Sequence, residues 1–119
     1  MYYEPKYFAL HELVPPEIIT ELGDRSILLL EPRMLMMIDG IREFFGKPVT
    51  INNWKNGGTF KLRCYRPADT TTGAKWSQHK FGRAADMDIL GYTAEQARKI
   101  ILDNQTDPKL SYISVLESG

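Results

Sequence analysis

The apolar positions of the chain change period along its length, and the change separates helical from extended segments. Leu30, Met34, Met37, Ile38, Ile41, Phe44 and Phe45 recur at three- and four-residue spacing. On an α-helix these side chains fall on one stripe, so the spacing predicts a helix through this region. Pro32 suits its first turn, and Gly46 with Pro48 ends it. Its methionines read as core filling rather than a cofactor box. A shorter helix is expected over Glu17 to Leu22, after Pro15-Pro16 and before Gly23. A third is expected from Thr93 to Asn104. There Thr93 caps, Gln96 completes a capping box, and Ala97, Ile100 and Ile101 face inward.

Beyond Pro48 the pattern turns extended. Val49-Thr50-Ile51-Asn52-Asn53-Trp54 is rich in β-branched residues and reads as a strand. Asn56-Gly57-Gly58 marks a turn, Phe60 to Tyr65 a short strand, and Pro67 to Gly73 a polar loop. Ala84 to Leu90 and Tyr112 to Leu116 read as further strands. Helices first, then strands mixed with one more helix, predict an α+β fold with a mainly antiparallel sheet.

Composition narrows the function classes. A chain of 119 residues suits one domain, with a radius of gyration of roughly 13–14 Å. A hydrophobic fraction of 43% supports one core and argues against global disorder. The 15 Lys and Arg balance the 15 Asp and Glu, which argues against a general polyanion or nucleic-acid binder. One cysteine, Cys64, excludes an intrachain disulfide framework and a Cys-rich zinc module. Two histidines limit what a His-based metal site holds. Met1 to Leu10 has no basic region followed by an apolar run, so no signal peptide is read there. Apolar runs such as Ile27 to Leu30 are far too short to span a membrane. The expectation is a monomer made in a cytoplasm, with neither nucleic acid nor membrane as partner.

The segment richest in candidate chemistry is Ser77-Gln78-His79-Lys80-Phe81-Gly82-Arg83-Ala84-Ala85-Asp86-Met87-Asp88. A turn at Gly82 could fold His79 and Asp86 towards one point. An imidazole nitrogen and a carboxylate oxygen are an ordinary pair of zinc ligands. Ala84 and Ala85 would let the following strand lie close to the core. From the residues alone, a loop histidine beside a strand-end aspartate is the favoured reading.

Ser77-x-His79-x-x-Gly82-x-Ala84-x-Asp86 resembles the signature of the zinc D-alanyl-D-alanine carboxypeptidases. That group includes phage L-alanyl-D-glutamate endolysins and shares its fold with the hedgehog signalling domain. Upstream, Asn52-Asn53-Trp54, Gly57-Gly58 and Arg63-Cys64-Tyr65-Arg66-Pro67 are similar to the phage-type members. The resemblance covers residues 30–119, the family core, with 1–29 an N-terminal extension carrying the short helix.

The resemblance implies a hedgehog/DD-peptidase-like fold, a zinc cofactor and a peptidoglycan stem peptide as partner. It implies a phage or prophage origin and action on the cell wall. His79 and Asp86 become the zinc ligands. Arg66 faces the scissile carbonyl or the substrate carboxylate, a fixed cation where negative charge develops. Ser77 and Gln78 support the metal loop. The implied chemistry is peptide hydrolysis by water activated between a metal and a general base.

A catalytic zinc site of this type needs three protein ligands. In the family the third is a histidine near the domain end, with the acid/base two or three residues before it. The sequence closes on Leu116-Glu117-Ser118-Gly119, where Glu117 stands about where that base is expected. Three readings stay open. The third ligand lies past Gly119, so that the core is C-terminally incomplete. Alternatively, the scaffold serves as a non-catalytic peptidoglycan- or partner-binding module or a phage structural component. Or His11, Asp88 or the terminal carboxylate completes the site. Two ligands alone are expected to hold zinc weakly.

The remaining residues have plainer readings beside the functional ones. His11 suits a surface or capping position. Asp88, two residues after Asp86, either supports the site or is a solvated strand aspartate. Of Arg63 and Arg66, one is expected to pair with a carboxylate, and Arg66 is assigned to the site. Cys64 reads as a buried, inert thiol, with no Cys-His arrangement beside it. Trp76, directly before the motif, walls the substrate cleft or packs in the core. Gly57-Gly58 lacks the following helix of a phosphate loop. Were the motif accidental, His79 and Asp86 would point apart.

Overall fold

The apolar stripe becomes α2, Pro32–Phe45, in the computed structural model, which describes residues 3–67 and 77–113. Pro32 starts it, and Gly46, in the left-handed region at φ 63°, closes it with an N–H bond to the Arg42 carbonyl. Met34, Leu35, Ile38 and Ile41 are buried along one face. α1, Pro16–Leu22, lies ahead of it, and the turn of chain between them, Gly23–Leu29, is a 3-10 helix that the periodicity did not predict. α3, Ala94–Asp103, has the expected capping box. Thr93 Oγ1 accepts from the Gln96 amide at 3.1 Å, and Gln96 Oε1 accepts from the Thr93 amide at 2.9 Å. It buries Ala97 and Ile101.

The strands are much shorter than expected. β1, Val49–Thr50, pairs antiparallel with β2, Asp88–Ile89, in the register Val49 to Ile89 and Thr50 to Asp88. Phe60 to Tyr65 forms no strand, and Ala84 to Met87 lies outside the ladder with no regular structure. Tyr112 and Ile113 are not in a strand, and the rest of that expected segment lies outside the described residues. The reason is visible in the hydrogen bonds. A ladder needs successive backbone pairs with one neighbour. In segment 60–66 the partners change at almost every residue. The Phe60 carbonyl accepts from Asn53 and Trp54, the Arg63 amide meets the Asn52 side chain, Tyr65 meets Leu13, and Arg66 meets His79. The architecture is therefore a small α+β fold with a two-stranded antiparallel sheet.

One buried cluster links Phe8, Leu13 and Val14 to α2, Val49, Ile51, Cys64, Ile89, α3 and Leu110. The radius of gyration is 13.8 Å, within the range that the chain length implies. At Gly40 the carbonyl of Lys109 comes so close to α2 that a Cβ would overlap it. The chain before α1 is fastened to α2 by the buried carboxylate of Asp39. It accepts from the Tyr3 hydroxyl at 2.6 Å and from the Lys6 and Tyr7 amides at 2.9 and 3.2 Å. Among the described residues no helix is long and apolar enough to cross a membrane.

Candidate metal centre

The site is assembled from a tight turn, the segment that follows it and the backbone of residues 62–66. Ser77 opens the turn: its Oγ accepts from the His79 amide at 3.2 Å and caps the short 3-10 helix Gln78–Phe81. Gly82 closes the turn in the left-handed region at φ 68°, its N–H meeting the Gln78 and His79 carbonyls. The Glu31 amide donates to the Gly82 carbonyl at 2.9 Å, which seats the turn against the start of α2. The chain then continues to Asp86, whose amide donates to the Arg63 carbonyl at 2.6 Å.

His79 Nδ1 lies 2.8 Å from the Cys64 carbonyl oxygen. A carbonyl only accepts, so Nδ1 carries the proton, and in the neutral ring Nε2 is left with its lone pair. Nε2 faces Asp86 Oδ2 at 3.5 Å. Two donors bound roughly 2.0–2.2 Å from one tetrahedral zinc stand about 3.3–3.6 Å apart. The pair fits a zinc ion as two ligands, with the outer histidine nitrogen already oriented by a backbone carbonyl, as metal-binding histidines usually are. The His79 side chain is 12% exposed and that of Asp86 56%, so the pair opens to solvent on the Asp86 side.

Arg66 joins them. Its Nε donates to the Leu62 carbonyl at 2.8 Å, its backbone amide donates to the His79 carbonyl at 3.1 Å, and Nη2 lies 3.6 Å from Asp86 Oδ2. Three of the residues singled out in the sequence thus meet at one carboxylate oxygen.

The others fall elsewhere. Asp88 pairs with Arg63 at 2.8 Å, and this bond holds its carboxyl below the usual carboxylate range. Arg63 also lies over the Phe60 ring, 4.3 Å from its centre. The structural arginine is therefore Arg63, and Asp88 is its partner beside the site. Gln78 is exposed and contributes its carbonyl, which accepts from the Arg83 amide at 3.0 Å. His11 sits edge-on to Trp54 with ring centres 6.3 Å apart. Trp76 and Glu117 lie outside the described residues. Among the described residues no group of three or more His, Cys, Asp and Glu gathers to hold a metal.

What the sequence did not reveal is the role of backbone carbonyls. Cys64 was weighed as a thiol, yet it is its carbonyl that meets His79. A main-chain acceptor has no residue-type signal. The thiol itself is fully buried, 3.9 Å from Met34 Sδ, and burial pushes it up to about 12. Cys64 is therefore expected to resist a disulfide reagent at pH 8 in the native chain and to react at once in urea. In the folded chain this thiol keeps its proton to about pH 12, whereas its ordinary value is 9.0. Its contribution to stability is full below about pH 9 and declines as pH rises from there. Urea melts between pH 8 and 11 check this; a flat profile that Cys64→Ala leaves unchanged refutes it.

Compared with protein-family models, curated proteins and solved structures, the chain finds no match in any of the three.

Proposed function

We propose that the chain is a zinc-dependent, hedgehog/DD-peptidase-like domain that acts on peptide bonds of peptidoglycan, as D-alanyl-D-alanine carboxypeptidases and related phage endopeptidases do. The observation that carries the reading is the meeting of His79 Nε2 and Asp86 Oδ2 at 3.5 Å with Arg66 beside the same oxygen. His79 and Asp86 would hold the ion. Zinc, when bound, supplies Lewis-acid polarisation of a peptide carbonyl. The Cys64 carbonyl keeps the His79 proton on Nδ1, so that Nε2 stays available as a donor. Asp86 brings negative charge to the cation. Arg66, steadied by the Leu62 carbonyl, offers a positive charge to a substrate carbonyl as it gains negative charge, or to a substrate carboxylate. Glu117 is the proposed proton acceptor. A full site of this class needs one ligand more than the described residues gather. In this reading the chain acts at the cell wall and comes from a phage or prophage.

A second reading is a non-catalytic peptidoglycan- or partner-binding domain, or a phage structural component, on the same scaffold. It draws support from the Arg66 guanidinium, which already gives the Asp86 carboxylate a cationic neighbour.

The test is zinc content after loading and dialysis, together with D-alanine release from a peptide ending in D-Ala-D-Ala. His79→Ala and Asp86→Ala are each expected to lower zinc affinity by about tenfold or more. Zinc that binds equally well to both variants overturns the assignment of the ligands. Peptidoglycan binding that persists in a chelator, without D-alanine release, favours the second reading.

A further inference from the structure

Asn52 follows β1 and is only 3% exposed. Its backbone amide donates to the Glu12 carbonyl at 3.0 Å, and its side-chain Oδ1 accepts from the Arg63 amide at 3.0 Å. Its Nδ2 is buried with no hydrogen-bond partner among the described residues. A buried donor left idle is unfavourable. An apolar side chain would avoid that penalty, so the oxygen half of the amide is what this position uses.

The bond made by that oxygen leads directly to the candidate site. The Arg63 amide donates to Asn52 Oδ1, and the Arg63 carbonyl accepts from the Asp86 amide at 2.6 Å. The next carbonyl, that of Cys64, accepts from His79 Nδ1 at 2.8 Å, and the Arg66 amide donates to the His79 carbonyl at 3.1 Å. Residues 63–66 therefore carry the backbone bonds that place both donor side chains. Asn52 ties one end of that segment to β1, and the Tyr65 amide ties it to the Leu13 carbonyl at 3.0 Å.

We infer that Asn52 is a positioning residue for the His79–Asp86 pair: by holding the Arg63 amide it sets the separation of Nε2 and Oδ2. The inference rests on the zinc reading for only one of its two readouts. The neighbouring Asn53 provides an internal control. Its Oδ1 accepts from the Phe60 amide at 2.9 Å and closes the 53–60 loop, and its hydrogen bonds do not reach the backbone of residues 63–66.

The experiment compares Asn52→Ala, Asn52→Asp and Asn53→Ala in the full chain. Without metal, NMR follows the exchange of the Asp86 amide proton and the ring nitrogens of His79. In Asn52→Ala the Asp86 amide is expected to exchange about tenfold faster, and the His79 ring to lose its single Nδ1–H tautomer. Asn52→Asp, which keeps an acceptor in place, restores both, and Asn53→Ala changes neither. With zinc, calorimetry is expected to show an affinity about tenfold lower for Asn52→Ala alone. A general loss of stability would act through Asn53→Ala as well, so equal changes in the two alanine variants overturn the inference. So does native-like exchange in Asn52→Ala. If no form of the chain binds zinc, but Asp86 exchange responds to Asn52 alone, positioning stands and the zinc reading falls. Should Asn52→Ala fail to fold, Asn52→Ser, which shortens the reach of the acceptor, supplies the same comparisons.

Discussion

Gly82→Ala is expected to lose about 3–4 kcal/mol of stability, combining a left-handed backbone penalty with an overpacked contact. Gly82 has φ 68°, where a side chain is strained, and an added Cβ would overlap the Leu29 carbonyl oxygen and crowd Leu30 Cα. The contact is with backbone, which cannot swing aside as a side-chain tip can. The Gly82 carbonyl also receives the Glu31 amide at 2.9 Å. Any shift that relieves the overlap therefore pulls the His79 turn away from the start of α2. Gly46 isolates the two effects: it has the same left-handed backbone, with φ 63° and ψ 25°, but nothing lies within 4 Å of an added Cβ. Gly46→Ala is expected to cost about 1–2 kcal/mol, the backbone share alone. Urea unfolding of both variants measures the difference. Equal losses would show that the fit against Leu29 contributes nothing.

Asp39→Ala is expected to cost about 3 kcal/mol, because it removes the buried acceptor of three hydrogen bonds at once. The carboxylate is 2% exposed and serves the Tyr3 hydroxyl and the Lys6 and Tyr7 amides. The Tyr3 hydroxyl is pushed up to about 12, first by burial and then by its bond to Asp39. Asp39→Asn keeps the shape but aims an amide donor at these donors, so it recovers only part of the loss. The released segment is expected to become a trypsin site at Lys6, while the Asp86 amide exchanges as before. Trypsin resistance in Asp39→Ala would refute the fastening role.

The helical half of the fold was legible because each helix declares itself locally. α2 has a continuous apolar stripe, α1 has prolines before it and a glycine after it, and α3 has the Thr93–Gln96 box. The strands were overcalled because β-branched and alternating residues report extended backbone, not ladder pairing. In Val49 to Trp54 and Ala84 to Leu90 only two residues of each find a regular partner, and Trp54 begins a short 3-10 helix instead. The rest bond to side chains and to scattered carbonyls. For the site, the spacing of His79, Gly82 and Asp86 carried the information, since a glycine turn returns the chain on itself. Arg66 entered through a motif match, and the geometry then set it beside Asp86. The bonds from the Arg63 and Cys64 carbonyls had no trace in residue type, because any residue offers a carbonyl.

Segment 62–66 also binds the fate of the site to that of the core. The residue whose carbonyl orients His79 is the one whose side chain is sealed against Met34. One residue carries both roles, so a change of volume beneath Cys64 is expected to change the spacing above it. Tolerance to substitution should therefore be uneven across this small chain. The outer faces of α1 and α3 are free to drift, while the packing under Cys64 works as the calibration of the site and is answerable to it.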